Sequence, residues 1–310
     1  MYKNYIYFIL LFLLLYYITY YYFYILRYYY DRYFNYTTIK LPSTPNKKNI
    51  LLLSNSSIKI DPVYFNFASP NVKLFVQQNN VRHFLYVPYA LASVNDDIIS
   101  STTRGKELYH KSILPACKNI GIQIDMLDID LPTYEQQKIL SNAKGLFIGG
   151  GNTFVLTHAL HKNGLILALK KAINSGIPTI SLSAGSILMC PTIKTTNDMS
   201  ISDTTDLNSL NIIPFQLNLH YNNQSLSHGE GGGTRDKHLC QYLQNNRKIK
   251  IDGKKLDNFV IALREGTILH VSDNNYEIVG LTSRTAYIFK LKNGKFTKQP
   301  ISIGTTIFNL

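Results

Sequence analysis

Ser183 closes a stretch, I-P-T-I-S-L-S over 177–183, that reads as a buried strand, and Ala184-Gly185-Ser186 follow it directly. Small residues after a strand let the chain turn sharply into a helix. The hydroxyl then projects at the strand end, and the first N–H groups of the helix can face a developing negative charge. The stretch departs from G-x-S-x-G, since Ser181 stands at the first glycine position. A serine nucleophile needs a base, and a histidine titrates near neutrality unaided. His220 ends the apolar run Pro214–Leu219, a placement that suits a ring emerging into a cleft. The base in turn needs an acid to fix its tautomer and stabilise the imidazolium. Asp198 and Glu265 both lie near turns at the ends of apolar segments, and the residues alone leave the choice open. Gly149-Gly150-Gly151-Asn152-Thr153 sits between a strand and a helix, where three glycines allow close backbone approach and free N–H groups. It lacks both the G-x-G-x-x-G spacing and a P-loop lysine, which argues against nucleotide binding.

These groups must be carried by regular elements. Asn49–Ser54, Arg82–Pro88, Ile122–Leu127, Gly145–Ile148 and Pro178–Leu182 are short apolar runs bounded by turn residues, hence buried strands. Lys106–Ile120, Pro132–Leu140 and Thr153–Asn174 alternate with them as helices, the last interrupted at Lys162-Asn163-Gly164. This rhythm predicts an α/β fold, a mostly parallel sheet with helices on both faces and sites at the carboxyl ends of the strands. Beyond Leu207 the pattern changes to strands at Asn258–Leu263, Thr267–Val271, Tyr276–Leu281 and Thr285–Leu291.

Composition bounds the remainder. The run Tyr5–Leu26 has no charged residue and is rich in Ile, Leu, Phe and Tyr. Its length predicts a single-pass membrane anchor within residues 1–32, a cleaved signal segment being the alternative. A polar, proline-marked linker is expected over 33–48 and one domain over 49–310, soluble and of undefined sidedness. The net charge of +13 comes from dispersed lysines and arginines, without the aromatic-interleaved basic stripe of a nucleic-acid binder. Three separated cysteines, Cys117, Cys190 and Cys240, form neither a disulfide framework nor a C-x-x-C metal pair. The H-x-x-H of His158 and His161 lacks a third ligand.

Several longer stretches resemble the alpha-aspartyl dipeptidase (peptidase E) family: G-G-G-N-T-F at 149–154, S-A-G at 183–185, C-P-T-I-K-T-T-N-D-M at 190–199, N-L-H-Y at 218–221 and R-E-G at 264–266. Their order and spacing match from Asn49 to about Leu291. The resemblance implies a fold related to class I glutamine amidotransferases and a serine peptidase needing no metal or other cofactor. It implies Ser183 as nucleophile, His220 as base, and N–H groups of Gly151 and Ala184 as the oxyanion hole. Glu265 stands at the family's structurally observed acid, and Asp198 at a second required acidic position. Arg235 matches an arginine implicated in holding an acidic substrate side chain, a task suited to a two-pronged guanidinium; Asn152, beside the glycine loop, is a second substrate-binding candidate. The implied substrate is a small peptide, typically a dipeptide beginning with aspartate.

The departures cluster around the same groups. Ser181-Leu182 replace Gly-Trp, Ser186-Ile187 replace Ala-Asn, and Leu219 replaces proline. Gly229-Glu230-Gly231-Gly232-Gly233-Thr234 lengthens the approach to Arg235. Two alternatives accompany the dipeptidase reading: a related serine peptidase of different specificity, cyanophycinase-like, and a non-catalytic binding protein on the same fold.

Overall fold

The computed structural model describes residues 2–307 apart from 34–35, 38–47, 60–61, 92–104, 223–233, 247–249, 252–253, 256–258 and 293. In chain order come α1 (Tyr2–Tyr33), β1 (Tyr36–Thr37), β2 (Asn49–Leu53), α2 (Ser69–Asn79) and β3 (His83–Val87). A π-helical turn (Tyr109–Ile113) then runs into α3 (Leu114–Asn119), followed by β4 (Gln123–Met126), α4 (Thr133–Asn142) and β5 (Leu146–Ile148). Next are α5 (Thr153–Lys162), α6 (Ile166–Asn174), β6 (Thr179–Leu182), α7 (Ala184–Leu188), β7 (Gln216–Asn218) and α8 (Arg235–Asn245). The remainder is β8 (Lys250–Ile251), β9 (Lys254–Lys255), β10 (Phe259–Ala262), β11 (Thr267–Ser272), β12 (Asn275–Leu281), β13 (Thr285–Lys292), β14 (Lys295–Ser302) and β15 (Thr306–Ile307).

The large sheet has the order β1-β12-β11-β2-β6-β5-β3-β4, with β15 also on β12. From β2 to β4 every pairing is parallel, as the strand–helix rhythm predicts. On the other side of β2, β11, β12, β1 and β15 are antiparallel. Both faces of β2 are buried, and successive side chains serve different layers. Ile50 and Leu52 pack with Leu156, Leu160, Leu169 and Ile187 of α5, α6 and α7. Leu51 and Leu53 pack with Val72 and Phe75 of α2 and Cys117 of α3. The predicted break near Gly164 is present: Gly164 has φ 61 between α5 and α6.

A second sheet, β14-β13-β10-β7, holds the strand that ends just before His220. Its β7 and β10 are parallel. Leu239 and Leu243 of α8 cover it, packed with Tyr221, Val260, Ala262 and Phe289.

The N-terminal expectation is overturned. Among the described residues no helix is long and apolar enough to cross a membrane, so the membrane anchor and single-pass placement do not stand. Six tyrosines and Thr19 place hydroxyls within Leu11–Leu26 of α1. Of the expected linker, Tyr36–Thr37 pair with Leu281 and Gly280 at the sheet edge, while residues 38–47 lie outside the described chain.

Candidate active site

Strand β6 delivers Ser183 between β2 and β5 at the carboxyl end of the parallel half-sheet. The serine adopts φ 44, ψ −111, a conformation that costs a non-glycine residue about 1–3 kcal/mol. Its N–H donates to Leu53 O at 3.0 Å, and its carbonyl accepts from Ser186 N and Ile187 N at 2.8 and 3.0 Å. The turn therefore forms without the leading Gly-Trp. Ser181 and Ser186, both fully buried, supply each other's needs: their hydroxyls lie 3.3 Å apart, and Ser186 Oγ is 3.0 Å from both Leu53 O and Ser181 O.

Glycines bring the neighbouring backbone close. A Cβ at Gly185 would lie 2.6 Å from Ile148 O, so only glycine lets α7 start against the loop after β5. Gly151 has φ 146, and a Cβ there would lie 2.2 Å from Ala90 O. The loop passes so near the serine that a Cβ on Gly150 would sit 3.2 Å from Ser183 Cβ. The N–H groups of Gly151 and Ala184 donate to no acceptor among the described residues.

His220 follows β7 with φ 50. Ser183 Oγ and His220 Nε2 are 2.8 Å apart, and Nδ1 of the same ring lies 3.3 Å from Glu265 Oε1. A carboxylate only accepts, so Glu265 places the ring proton on Nδ1 and leaves Nε2 to accept from the serine hydroxyl. Glu265 occupies the turn between β10 and β11. Its hydrogen bond to His220 holds the carboxyl below the ordinary range despite partial burial, and the charges of Arg284 and Arg235 act in the same direction.

Asp198 does not contact the ring. Its Oδ2 accepts from Thr153 N at 2.8 Å, Thr153 Oγ1 at 2.5 Å and Thr196 Oγ1 at 3.0 Å. It thus satisfies the first turn of α5, where the N–H groups have no helical partner. Asn152 caps the same helix: its Oδ1 accepts from Phe154 N and Val155 N, and its Nδ2 donates to Met199 O at 2.9 Å. The T-T-N-D run reaches the other way as well. Thr195 Oγ1 donates to Leu217 O at 2.6 Å, and Asn197 Nδ2 to Leu219 O at 2.7 Å. One loop therefore ties the glycine-loop helix to the strand before His220.

Arg235, the first residue of α8, is half-buried. Its Nη1 donates to Leu219 O at 3.1 Å and also to the carbonyl of His220, while its buried Nε has no partner among the described residues. The glycine-rich stretch before it lies outside the described residues up to Gly233. Two polar residues escaped notice in the sequence, Ser54 and Asn55, because a polar pair after an apolar strand reads as an ordinary turn. Ser54 Oγ accepts from His220 N at 3.1 Å, and Asn55 Oδ1 from Gly266 N at 3.0 Å. The three cysteines are free, and burial pushes the thiols of Cys117 and Cys190 up to about 12.

The arrangement can support attack by a serine oxygen on a carbonyl, with proton transfer to His220. Similarity to known proteins agrees with that chemistry. Residues 50–279 match Peptidase family S51. A protein named Peptidase E from a Nostoc species is 32% identical over 248 residues, covering 80% of this chain and 91% of its own. A Peptidase E from Shewanella baltica is 32% identical over 263 residues, with coverages of 84% and 97%. Among solved structures, a peptidase from an acI-B1 Actinobacterium superposes with TM-score 0.57 at 15% identity, covering 86% of this chain and 98% of its own. A Peptidase E-type protein from Listeria monocytogenes gives TM-score 0.52 at 19% identity, covering 76% and 98%. With most of its length matched by the family and by relatives of this similarity, the chain belongs to peptidase family S51 and is a serine-type peptidase.

Proposed function

We propose that this peptidase is a dipeptidase that removes an N-terminal aspartate from short peptides, on a fold related to class I glutamine amidotransferases. The observation that carries the mechanism is the chain of contacts Ser183 Oγ–His220 Nε2–Glu265, at 2.8 and 3.3 Å. Ser183 Oγ attacks the peptide carbonyl as its proton passes to Nε2. The N–H groups of Gly151 and Ala184 receive the oxyanion, and Glu265 stabilises the imidazolium. His220 then gives the proton to the departing amine, whose C–N bond breaks to leave an acyl ester on Ser183. Water, deprotonated by His220, cleaves that ester, and the proton returns to Ser183. What supports an acidic first residue is Arg235, a cation beside the base whose Nε has no partner among the described residues.

The test combines a fluorophosphonate probe with a dipeptide panel. The wild-type chain should label at Ser183 and turn over Asp-Leu faster than Ala-Leu. Ser183→Ala should abolish labelling and lower turnover at least about a thousandfold. Wild-type turnover by Ser183→Ala would remove the nucleophile assignment, and equal rates on the two dipeptides would remove the aspartyl preference.

A further inference from the structure

The nucleophile and the base belong to different sheets. Ser183 leaves β6 of the large sheet, whereas His220 and Glu265 follow β7 and β10 of the smaller one. Proton transfer from serine to imidazole tolerates little error in distance, so something must fix one sheet against the other. Covalent continuity does not do it: the chain between Ser183 and His220 wanders through Cys190–Phe215 before reaching β7.

The end of β2 is placed to do it. Three consecutive residues there grip Ser183, His220 and the residue after Glu265. Leu53 O accepts from Ser183 N at 3.0 Å, and from Ser186 Oγ at 3.0 Å. Ser54 Oγ accepts from His220 N at 3.1 Å and donates to Leu263 O at 3.1 Å, using both capacities of one hydroxyl. Leu263 O also accepts from Tyr221 N at 2.9 Å, so Ser54 sits where the ends of β7 and β10 meet. Asn55 Oδ1 accepts from Gly266 N at 3.0 Å, fixing the turn that presents Glu265. Its Nδ2 donates to Ser57 O, which holds the amide in that orientation.

Ser54 and Asn55 are buried, at 0% and 4% exposure, so water does not replace these bonds when they are lost. His220, like Ser183, needs such support. Its φ of 50 is unfavourable for a side chain with a Cβ, and among the described residues its N–H is held by the Ser54 hydroxyl. Arg235 grips the carbonyl of the same residue, so the base is clamped at both ends of its backbone.

We propose that Ser54 and Asn55 are positioning residues of the catalytic centre: the end of β2 sets the distance between serine, histidine and glutamate by bonding to the backbone of Ser183, of His220 and of Gly266 beside Glu265. This rests on the serine–histidine–glutamate reading above, and the experiment separates the two. The Ser54→Ala, Ser54→Cys and Asn55→Ala variants of the full chain are titrated with a fluorophosphonate probe, and kcat and KM for Asp-Leu are referred to the titrated sites. Cysteine keeps the shape of serine with a somewhat larger atom and is a weak acceptor, so it should behave as alanine does. Both Ser54 variants should still bind one probe per chain, label about 10–100-fold more slowly, and lose a similar factor in kcat with KM unchanged. Asn55→Ala should lose less, about 3–10-fold, because Glu265 also holds the ring directly.

A purely structural role would lower the number of titratable sites and leave kcat per site at the wild-type value. That result, or full activity of Ser54→Cys, would overturn the proposal. Undiminished activity of Ser183→Ala would overturn the nucleophile reading instead, whatever the Ser54 variants do.

Discussion

At Ser183 two requirements compete, because the residue must hold an unfavourable backbone and keep its hydroxyl free for chemistry. Neighbouring side chains take the structural load. The hydroxyls of Ser181 and Ser186 partner each other in a fully buried space. Removing Ser186 strands the Ser181 hydroxyl, whereas Ser186 keeps the carbonyls of Leu53 and Ser181 if Ser181 is changed. Ser186→Ala should cost about 1–2 kcal/mol in chemical denaturation. The double variant Ser181→Ala/Ser186→Ala should cost less than the sum of the single changes, since no polar group is then left unpaired. Additive costs would mean that the two hydroxyls do not act as a pair.

Glu265 makes a different residue-scale prediction. Because the bond to His220 holds the folded-state carboxyl below its unfolded value, its contribution to stability is complete above about pH 4.3 and is lost as pH falls through the lowered value. The difference in Tm between the wild-type chain and Glu265→Gln should therefore be larger at pH 5 than at pH 3. At pH 7.5 the same substitution should lower kcat by about a thousandfold or more, with the titratable serine retained. A Tm difference that does not change between pH 5 and pH 3 would contradict the ionised contact.

Among the elements, the loop Thr195–Asp198 shows how a recognisable sequence run can carry a role its residue types do not reveal. Asp198 is an acid in a suggestive position, but its carboxylate is consumed by Thr153 and Thr196 at the start of α5. Asp198→Ala should destabilise the chain by about 1–2 kcal/mol, as loss of a helix cap does. Glu265→Gln should change stability at pH 7 by less, because its carboxylate is half-exposed and solvent screens it. If chemical denaturation reverses that order, Asp198 is not the structural member of the two acids.

The same scale explains what the sequence made legible. β2 to β6 and the break at Gly164 were readable because apolar runs and turn residues are local signals. The Ser183 turn was readable because only small residues fit it. The β11–β12 hairpin was readable from its strands and turn, but its antiparallel seat on β2 was not, since that depends on pairings such as Leu269 with Leu52, more than two hundred residues apart. Strand β14 was hidden by its polar, Pro300-containing sequence, which an edge strand tolerates. Ser54 and Asn55 were hidden because their partners, His220 and Gly266, are 166 and 211 residues away.

For the whole molecule, the site depends on two sheets meeting at the end of β2, and the N-terminal helix takes no part in that junction. Among the described side chains of α1, Leu11–Leu26, nearly all the apolar residues are exposed, Phe12 at 71% and Phe23 at 72%, so this stretch buries little that could stabilise the rest. The contribution of this region to the sheets is the two-residue strand β1 on the edge of β12. Just before β2, Lys48 N donates to Asp273 Oδ1 at 2.9 Å, which ties down the start of the strand. A chain beginning at Lys47 keeps that bond and every contact named at the site. It should bind one fluorophosphonate per chain and retain kcat and KM within about twofold, because the distances among Ser183, His220 and Glu265 are set from β2 onward. Its Tm should fall by only a few degrees, the cost of about two edge hydrogen bonds. A shortened chain that folds, by circular dichroism, but titrates few active sites would show instead that residues 1–46 help to bring the two sheets together.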